Sequence, residues 1–421
     1  MEEKVIPAEI QDTLEKIRGI SATLSGRFVC RDDEIKALWY ALVLRQHVVL
    51  TGQPGTAKSL LAATFFRHIE GVNVFRTQLM KEMTGDYVFG PMNIKRYKDD
   101  GVVEYNTQGM LPDCDVAFLD EFFDANDNVL RAMLECLNER TFSIGRTYKR
   151  IPLHSAIATS NFYRDSENKA AVVDRFMFRV KVEPVGSVEA KKVLLKRLCS
   201  PEPYDLGMKV TLDEMADLLD FSMSVEIDDV ILDAVVLLID TYCKERNKEY
   251  AVSDRRAGWL LDLLRVNALM RDRVVVEIDD LGSLHYGMCH IHTESDDNAF
   301  FAALSKVEPA CRIKVASQKI AGVVLKKLEE VSLDAKVAKT QAEAESIKNK
   351  IGFVEKTNIE EIQDVRIKER MRAAARKILE DIEPLLPKKE SVKDFSPAHK
   401  TAAALSFLNK LTKDTSDKDD V

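Results

Sequence analysis

The sequence predicts an α/β fold: a mainly parallel sheet with helices on both faces, then an all-helical region, then a further helical segment towards the C-terminus. Three observations carry this. The run His47-Val48-Val49-Leu50-Thr51 reads as a short buried strand that passes through a tight Gly/Pro turn into a helix over 60–66. Between Val74 and Val182, short β-rich runs alternate with helical patterns, as parallel strands joined by crossover helices do. Near Pro184-Val185-Gly186 the character changes, and from Ser187 to about His292 the pattern is helical.

The 421 residues leave room for two or three domains. A hydrophobic content of 46% with 31% charged residues is ordinary globular composition. The formal charge of -8 and a pI near 5.6 argue mildly against a protein that mainly grips nucleic acid. Met1-Glu2-Glu3-Lys4 is acidic and lacks the apolar stretch of a signal peptide. The early apolar stretch 37–50 is broken by Arg45, Gln46 and His47 and is too short to span a bilayer. Seven scattered cysteines without a C-x-x-C pair suggest reduced thiols in a cytoplasmic protein, not a disulfide framework or a zinc site.

In chain order, residues 8–45 read as helix, loop, helix. Strands are expected at 72–78, 116–119, 155–159 and 177–182, with a helix at 128–138 after the second. In the helical region, Ile231, Ala234, Val235, Leu238 and Ile239 keep helical spacing, as do Trp259, Leu260, Leu263 and Leu264. Loops are expected at Ser200-Pro201-Glu202-Pro203 and near Asp279-Asp280. From about Phe300 the chain is rich in Ala, Lys and Glu. Val323, Leu325, Leu328 and Val331 suggest one long helix, and a break at Ile351-Gly352-Phe353 precedes a second helix over 359–382. An antiparallel hairpin of the two, a short third helix over 402–410 and a disordered tail over 412–421 complete the expectation. The divisions fall at 1–186, 187–299, 300–411 and 412–421. The basic runs 348–350 and 366–377 read as solvated helix faces.

Chemistry concentrates in the first division. Gly52-Gln53-Pro54-Gly55-Thr56-Ala57-Lys58-Ser59 follows a strand and opens a helix, the context of a phosphate-binding loop. Lys58 would reach the β and γ phosphates, and the Ser59 hydroxyl would take a Mg²⁺ position. Ala57 stands where the motif carries its second glycine, and a helix beginning one residue early would accommodate it. Asp115-Val116-Ala117-Phe118-Leu119-Asp120-Glu121 is an apolar strand ending in two acids. Asp120 would hold Mg²⁺ through water, and Glu121 would polarise the attacking water. Asn161, at the end of the following strand, either bridges that water and the γ-phosphate or is a turn-forming asparagine.

These residues, together with Val88-Phe89-Gly90-Pro91, Gly109-Met110-Leu111-Pro112, Leu137-Asn138-Glu139-Arg140, Asp174-Arg175 and Tyr250-Ala251-Val252-Ser253-Asp254-Arg255-Arg256, stand in the order of one family. Over about 12–300 the chain resembles the AAA+ ATPases of the MoxR family, in particular their RavA-like branch. The resemblance implies an αβα AAA+ core, an all-α lid and a ring, a homo-hexamer, that binds ATP and Mg²⁺ between subunits. It makes Asn161 the sensor-1 residue and Arg175 the arginine finger for the neighbouring subunit's γ-phosphate, with Arg179 as nearest competitor. Arg255 becomes the sensor-2 residue, with Arg256 as the alternative. It also implies an insertion over 86–107, with Gly101 as a hairpin turn, and a second hairpin over 142–153 with Gly145-Arg146 at its tip.

The resemblance further implies ATP hydrolysis that remodels or activates a von Willebrand factor A-type partner in a chaperone-like way. A DNA-linked AAA+ motor or restriction-type NTPase is the alternative, and a nucleotide-dependent scaffold with little turnover is a third reading. The C-terminal third departs from RavA, whose helical region carries a small inserted β domain. Here residues 332–395 read as helical, so contacts made by that inserted domain do not carry over.

Overall fold

The computed structural model of the chain describes residues 5–144, 147–161, 173–199, 206–246, 252–289 and 294–386. Helices α1 (Ala8–Arg27) and α2 (Asp32–Val43) precede strand β1 (Val48–Thr51). Asp32, Asp33 and Glu34 fill the first turn of α2, where the helix dipole favours negative charge. Ala37, Leu38, Trp39, Tyr40, Ala41, Leu42 and Val43 are all buried, so α2 is a core helix and not an amphipathic surface one.

Helix α3 (Lys58–Phe66) follows β1 and leads to β2 (Val74–Gln78) and two short helices, α4 (Asp86–Phe89) and α5 (Ile94–Asp100). Strand β3 (Val116–Asp120) and helix α6 (Asp127–Glu139) come next. A hairpin of β4 (Thr141–Ile144) and β5 (Thr147–Arg150) then precedes β6 (Ser155–Ser160) and β7 (Phe178–Lys181). The main sheet is parallel throughout, in the order β2-β3-β6-β1-β7. Strand β1 sits between β6 and β7, with Val48 level with both Ile157 and Phe178. The central strands β1, β3 and β6 are buried almost throughout, as a sheet covered on both faces requires. Edge strand β2 is largely exposed instead. All four strands expected downstream of β1 are present, each within two residues of the expected bounds.

The helices that follow are α7 (Val188–Cys199), α8 (Leu212–Ser222), α9 (Asp229–Glu245) and α10 (Asp254–Leu269), then the short α11 (His285–Met288) and the long α12 (Glu294–Val337). Two of these starts carry a side-chain cap. Thr211 and Glu214 form a reciprocal capping box on α8, and the Ser253 hydroxyl accepts from Arg256 N on α10. The segment around Asp279-Asp280 is a 3₁₀ helix (Ile278–Leu284), not a loop, because Glu277 and Asp280 cap it reciprocally. The expected loop at 200–203 lies outside the described residues. Among the described residues, no helix is long and apolar enough to cross a membrane.

One further expectation needs correction. The segment 86–107 is not a two-stranded hairpin. Asn93 caps α5 by accepting from Arg96 N, and Gly101 (φ 65) terminates that helix, with a single antiparallel bridge, Met92 to Tyr105, closing the segment. The hairpin β4–β5 does form, with Thr141 opposite Arg150, and its tip at 145–146 lies outside the described residues.

The chain divides into two compact units between Arg312 and Ile313. The second contains the later part of α12, α13 (Gln341–Val354) and α14 (Val365–Ile382). This is three helical stretches where two were expected. The break falls at 338–340, since Thr340 accepts from Glu343 N and the Glu343 carboxylate accepts from Thr340 N. Gly352 lies inside α13, which runs on into a wider π turn (Glu355–Ile359). The helix expected over 402–410 and the tail over 412–421 lie outside the described residues.

Val324, Leu328, Ile347, Ile351, Ile378 and Ile382 form the core of this unit. Ile351→Ala is expected to cost about 2–5 kcal/mol of stability through the cavity it leaves. Phe353→Ala, at a position 65% exposed, is expected to stay within about 0.5 kcal/mol. Denaturant unfolding of the two variants checks the contrast.

Candidate active site

Strand β1 delivers the chain into a turn that only glycine can open. A Cβ on Gly52 would lie 2.1 Å from the carbonyl oxygen of Val182, on the chain leaving β7. At the other end of the turn Ala57 adopts φ 66, ψ 20, and α3 starts at Lys58. The helix therefore does not begin early to accommodate the alanine. Ala57 takes the left-handed conformation that the motif's glycine would take, at a cost of roughly 1–2 kcal/mol for an L-residue. Thr56 Oγ1 donates to the Gln53 carbonyl at 2.9 Å and closes the turn. Pro54 and Gly55 form its exposed crest.

Lys58 is buried, and its ammonium donates to Gly52 O (2.7 Å), Gln53 O (2.9 Å) and Asn161 Oδ1 (3.1 Å). Burial pulls its pKa below the ordinary lysine value, against the opposing charges of Glu121 and Asp120. The Ser59 hydroxyl donates to Asp120 Oδ1 at 3.0 Å. The same oxygen accepts from the Thr159 hydroxyl and from Glu121 N. Asn161 Nδ2 donates to Glu121 Oε1. Glu121 is itself left-handed at φ 53, ψ 44, and its Oε2 is buried with no hydrogen-bond partner among the described residues. Burial raises the Glu121 pKa above the usual carboxylate value, against the hydrogen bond from Asn161.

The structure thus brings Lys58, Ser59, Asp120, Glu121 and Asn161 together at the C-terminal ends of β1, β3 and β6. These groups fit a magnesium triphosphate. Backbone N–H groups at the start of α3 suit an anion. The Ser59 hydroxyl and the Asp120 carboxylate are hard oxygen donors, as Mg²⁺ prefers.

The arginines lie elsewhere. Arg175, just before β7, and Arg255, in the first turn of α10, line a groove of roughly 600 Å³ with Arg45, Arg140, Arg150 and Trp259. Arg45 precedes β1, so this groove is at the N-terminal edge of the sheet. About 13 Å of strand, at about 3.3 Å per residue, separates it from the Lys58 edge. Arg255 pairs with Asp174 at 3.0 Å and lies over the Trp259 ring at 5.4 Å.

Arg256 differs completely from its neighbour. It has no exposure, and it donates to the carbonyls of Met177 (3.0 Å), Gly287 (2.8 Å), Asp174 (3.0 Å) and Phe176 (3.3 Å) and to the Asp174 carboxylate (3.2 Å). Burial acts to raise the Asp174 pKa, but the charge and hydrogen bonds of Arg256 and Arg255 outweigh it and hold it below the usual value. Arg256 is a clasp between the start of α10 and the chain entering β7. Arg179 is buried in mid-strand, level with Val49, and does not line the groove.

Sequence reasoning missed several residues here. Arg31 donates to Thr56 O (3.4 Å) and Glu183 O (2.8 Å) and braces the turn from outside. Arg140 caps α6 in the left-handed conformation (φ 54) and donates to Leu137 O, Arg45 O and His154 O. Burial, with the charges of Arg45 and Arg140, pushes His154 down to about 4 and keeps it neutral. Only Arg140 carried a signal, as the last residue of the block Leu137-Asn138-Glu139-Arg140.

A family model described as the MoxR domain in the MoxR-vWA-beta-propeller ternary systems matches residues 15–218, and one described as an AAA lid domain matches 231–297. An uncharacterised protein of Methanocaldococcus jannaschii is 32% identical over 66% of this chain and 70% of its own length. The chaperone MoxR1 of Mycobacterium tuberculosis is 27% identical over 41% of this chain and 46% of its own. The crystal structure of a proposed ATPase from Cytophaga hutchinsonii covers 67% of this chain and 88% of its own with a TM-score of 0.54. At 20% identity that likeness is one of fold.

Two substitutions test the local arguments. Arg256→Ala strands buried carbonyls and the Asp174 carboxylate and is expected to destabilise by about 3–5 kcal/mol. Arg255→Ala, at an exposed pair, is expected to cost about 0–1 kcal/mol. Equal losses in thermal unfolding would contradict the clasp. At Ala57, glycine is expected to be neutral to modestly stabilising, because strain relief of about 1–2 kcal/mol is only partly offset by about 0.5–1 kcal/mol of chain entropy. Ala57→Val is expected to lower both stability and nucleotide affinity, measured by unfolding and by titration with a fluorescent ATP analogue.

Proposed function

The chain belongs to the MoxR family of AAA+ ATPases, and on that premise we propose that it hydrolyses ATP at the interfaces of a ring, the homo-hexamer that the family resemblance implies, to remodel or activate a partner protein. The observation that carries this reading is the placement of its two sets of polar groups on opposite edges of one parallel sheet. Lys58, Ser59, Asp120, Glu121 and Asn161 occupy one edge, and Arg175 and Arg255 the other. A single chain cannot bring them to one phosphate, whereas a head-to-tail contact between copies can.

In this reading Ser59 and Asp120 would hold Mg²⁺, which would supply neutralising charge to the phosphates. Lys58 exchanges the Gly52 and Gln53 carbonyls for phosphate oxygens. Asn161, now shared between Lys58 and Glu121, turns its amide towards the γ-phosphate and the attacking water. Glu121 then accepts the water proton at Oε2, and its burial favours that task at neutral pH. Arg175 and Arg255 meet the neighbour's triphosphate with permanent charge, and Arg45, Arg140 and Arg150 add to the same field. Arg255 therefore serves the neighbouring subunit together with Arg175, not the site of its own chain.

The partner we propose is a von Willebrand factor A-type protein. The description of the matching family model, which names MoxR-vWA-beta-propeller systems, supports this. The RavA-like branch is a finer reading that rests on the sequence resemblance, and the ternary-system description is the better guide to partners. A cytoplasmic location fits the same reading.

Mixing subunits tests the ring. Arg175→Ala subunits and Glu121→Gln subunits are each expected to bind ATP and fail to hydrolyse it as pure rings. Mixed rings are expected to regain activity, because an intact Glu121 in one subunit meets an intact Arg175 from the next. A finger contributes about 10³–10⁵ in rate in studied NTPases, so rescue stands well above background. ATPase rate is measured against mixing ratio after subunit exchange is confirmed. No rescue at any ratio would mean that Arg175 acts in its own chain or only supports the fold.

A further inference from the structure

We propose that the lid carries a second, nucleotide-independent metal site, formed by His285, Cys289 and Asp297 and suited to Zn²⁺. One donor atom from each, an imidazole nitrogen, a thiol sulfur and a carboxylate oxygen, lie within 4.8 Å of one another. His285 opens α11, Cys289 is its C-cap, and Asp297 belongs to the first turn of α12. His285 and Cys289 are four residues apart across one helical turn, so they face the same side. Asp297 reaches them from the next helix.

The surroundings hold the donors in place. The His285 ring stacks on Phe301 at 5.0 Å and meets Phe300 at 5.2 Å, while an imidazole nitrogen lies 3.0 Å from Asp297 Oδ1. Cys289 is fully buried. Asp296, next in the chain, is engaged by the Tyr242 hydroxyl and by Arg246, while Asp297 faces His285. The His285 and Asp297 side chains keep 20% and 34% exposure, so water has access to a fourth coordination position.

The donor chemistry selects the ion. Sulfur, imidazole nitrogen and one carboxylate suit a borderline-soft ion such as Zn²⁺. Mg²⁺ and Ca²⁺ prefer all-oxygen sets. Arg179 and Arg246 supply positive charge nearby, so a divalent ion needs both anionic ligands to be favourable. A scan for C-x-x-C pairs passes over the site because its ligands are one cysteine, the histidine one helical turn before it and an aspartate from the next helix. A bound ion would fasten the end of the lid to the start of α12.

The test uses the full chain, stripped with chelator and free of nucleotide, titrated with Co²⁺. The expected result is one equivalent bound, with a thiolate-to-cobalt charge-transfer band, tetrahedral ligand-field bands and displacement by Zn²⁺. Cys289→Ser is expected to abolish the charge-transfer band. Asp297→Asn, a near-isosteric change at a partly exposed side chain, is expected to weaken binding by about tenfold or more. Double replacement of the exposed Cys30 and Cys199 by serine is expected to leave the spectrum unchanged. Absence of the band, its survival in Cys289→Ser, or wild-type affinity in Asp297→Asn overturns the proposal. It would show the trio to be an ion pair beside a buried thiol. ATP-analogue binding measured in parallel keeps this outcome separate from any failure of the nucleotide site.

Discussion

Parallel pairing of β1 between β6 and β7 is the constraint on which the rest of the molecule depends. Parallel strands put all their C-terminal ends on one edge and all their N-terminal ends on the other. The ladder continues past the strands: Gly52 N donates to Ser160 O at 3.1 Å, and Val182 N donates to Thr51 O at 2.6 Å. These bonds hold the turn that opens at Gly52 against the end of β6, where Asn161 stands, and against the chain leaving β7. Burial of β1 and β6 on both faces makes the register costly to slip. The distance from Lys58 to Asn161 is thus a property of the sheet.

On that edge the polar groups form one connected set. Asp120 collects the Ser59 and Thr159 hydroxyls and the Glu121 amide, and Asn161 joins Lys58 to Glu121. Two residues of the set's backbone, Ala57 and Glu121, are left-handed without being glycine. Such conformations cost about 1–3 kcal/mol each and persist only when the surroundings over-determine them. Here the surroundings are the Gly52–Val182 contact, the Arg31 brace and the buried end of β3. The strain thus sits beside the groups that would handle phosphate and water.

Arg255 and Arg256 illustrate how adjacent residues divide between roles. Successive positions on a helix point about 100° apart. That rotation takes one guanidinium into the core among four carbonyls and leaves the other on Trp259 at the rim of a basic groove. The clasp made by Arg256 ties α10 to the entry of β7, and so holds Arg255 close to Arg175. The structural arginine positions the exposed ones.

The strands, the Gly52–Ser59 turn and the acidic end of β3 were legible in the sequence because each is a local pattern: an apolar run, a turn and a chemical terminus. Asn161 was legible for the same reason. The helix break at Thr340 was legible in principle, as a T-x-x-E capping box, but the long run of helix-forming residues obscured it. The sequence by itself therefore determined the sheet, the order of its motifs and the family. Tertiary structure alone decided which of two adjacent arginines is buried. It also decided that Ala57 is left-handed, that five arginines share one groove, and that His285, Cys289 and Asp297 converge. Each of these depends on contacts between segments distant in the chain or on which way a helix faces, and no local pattern of residues encodes either.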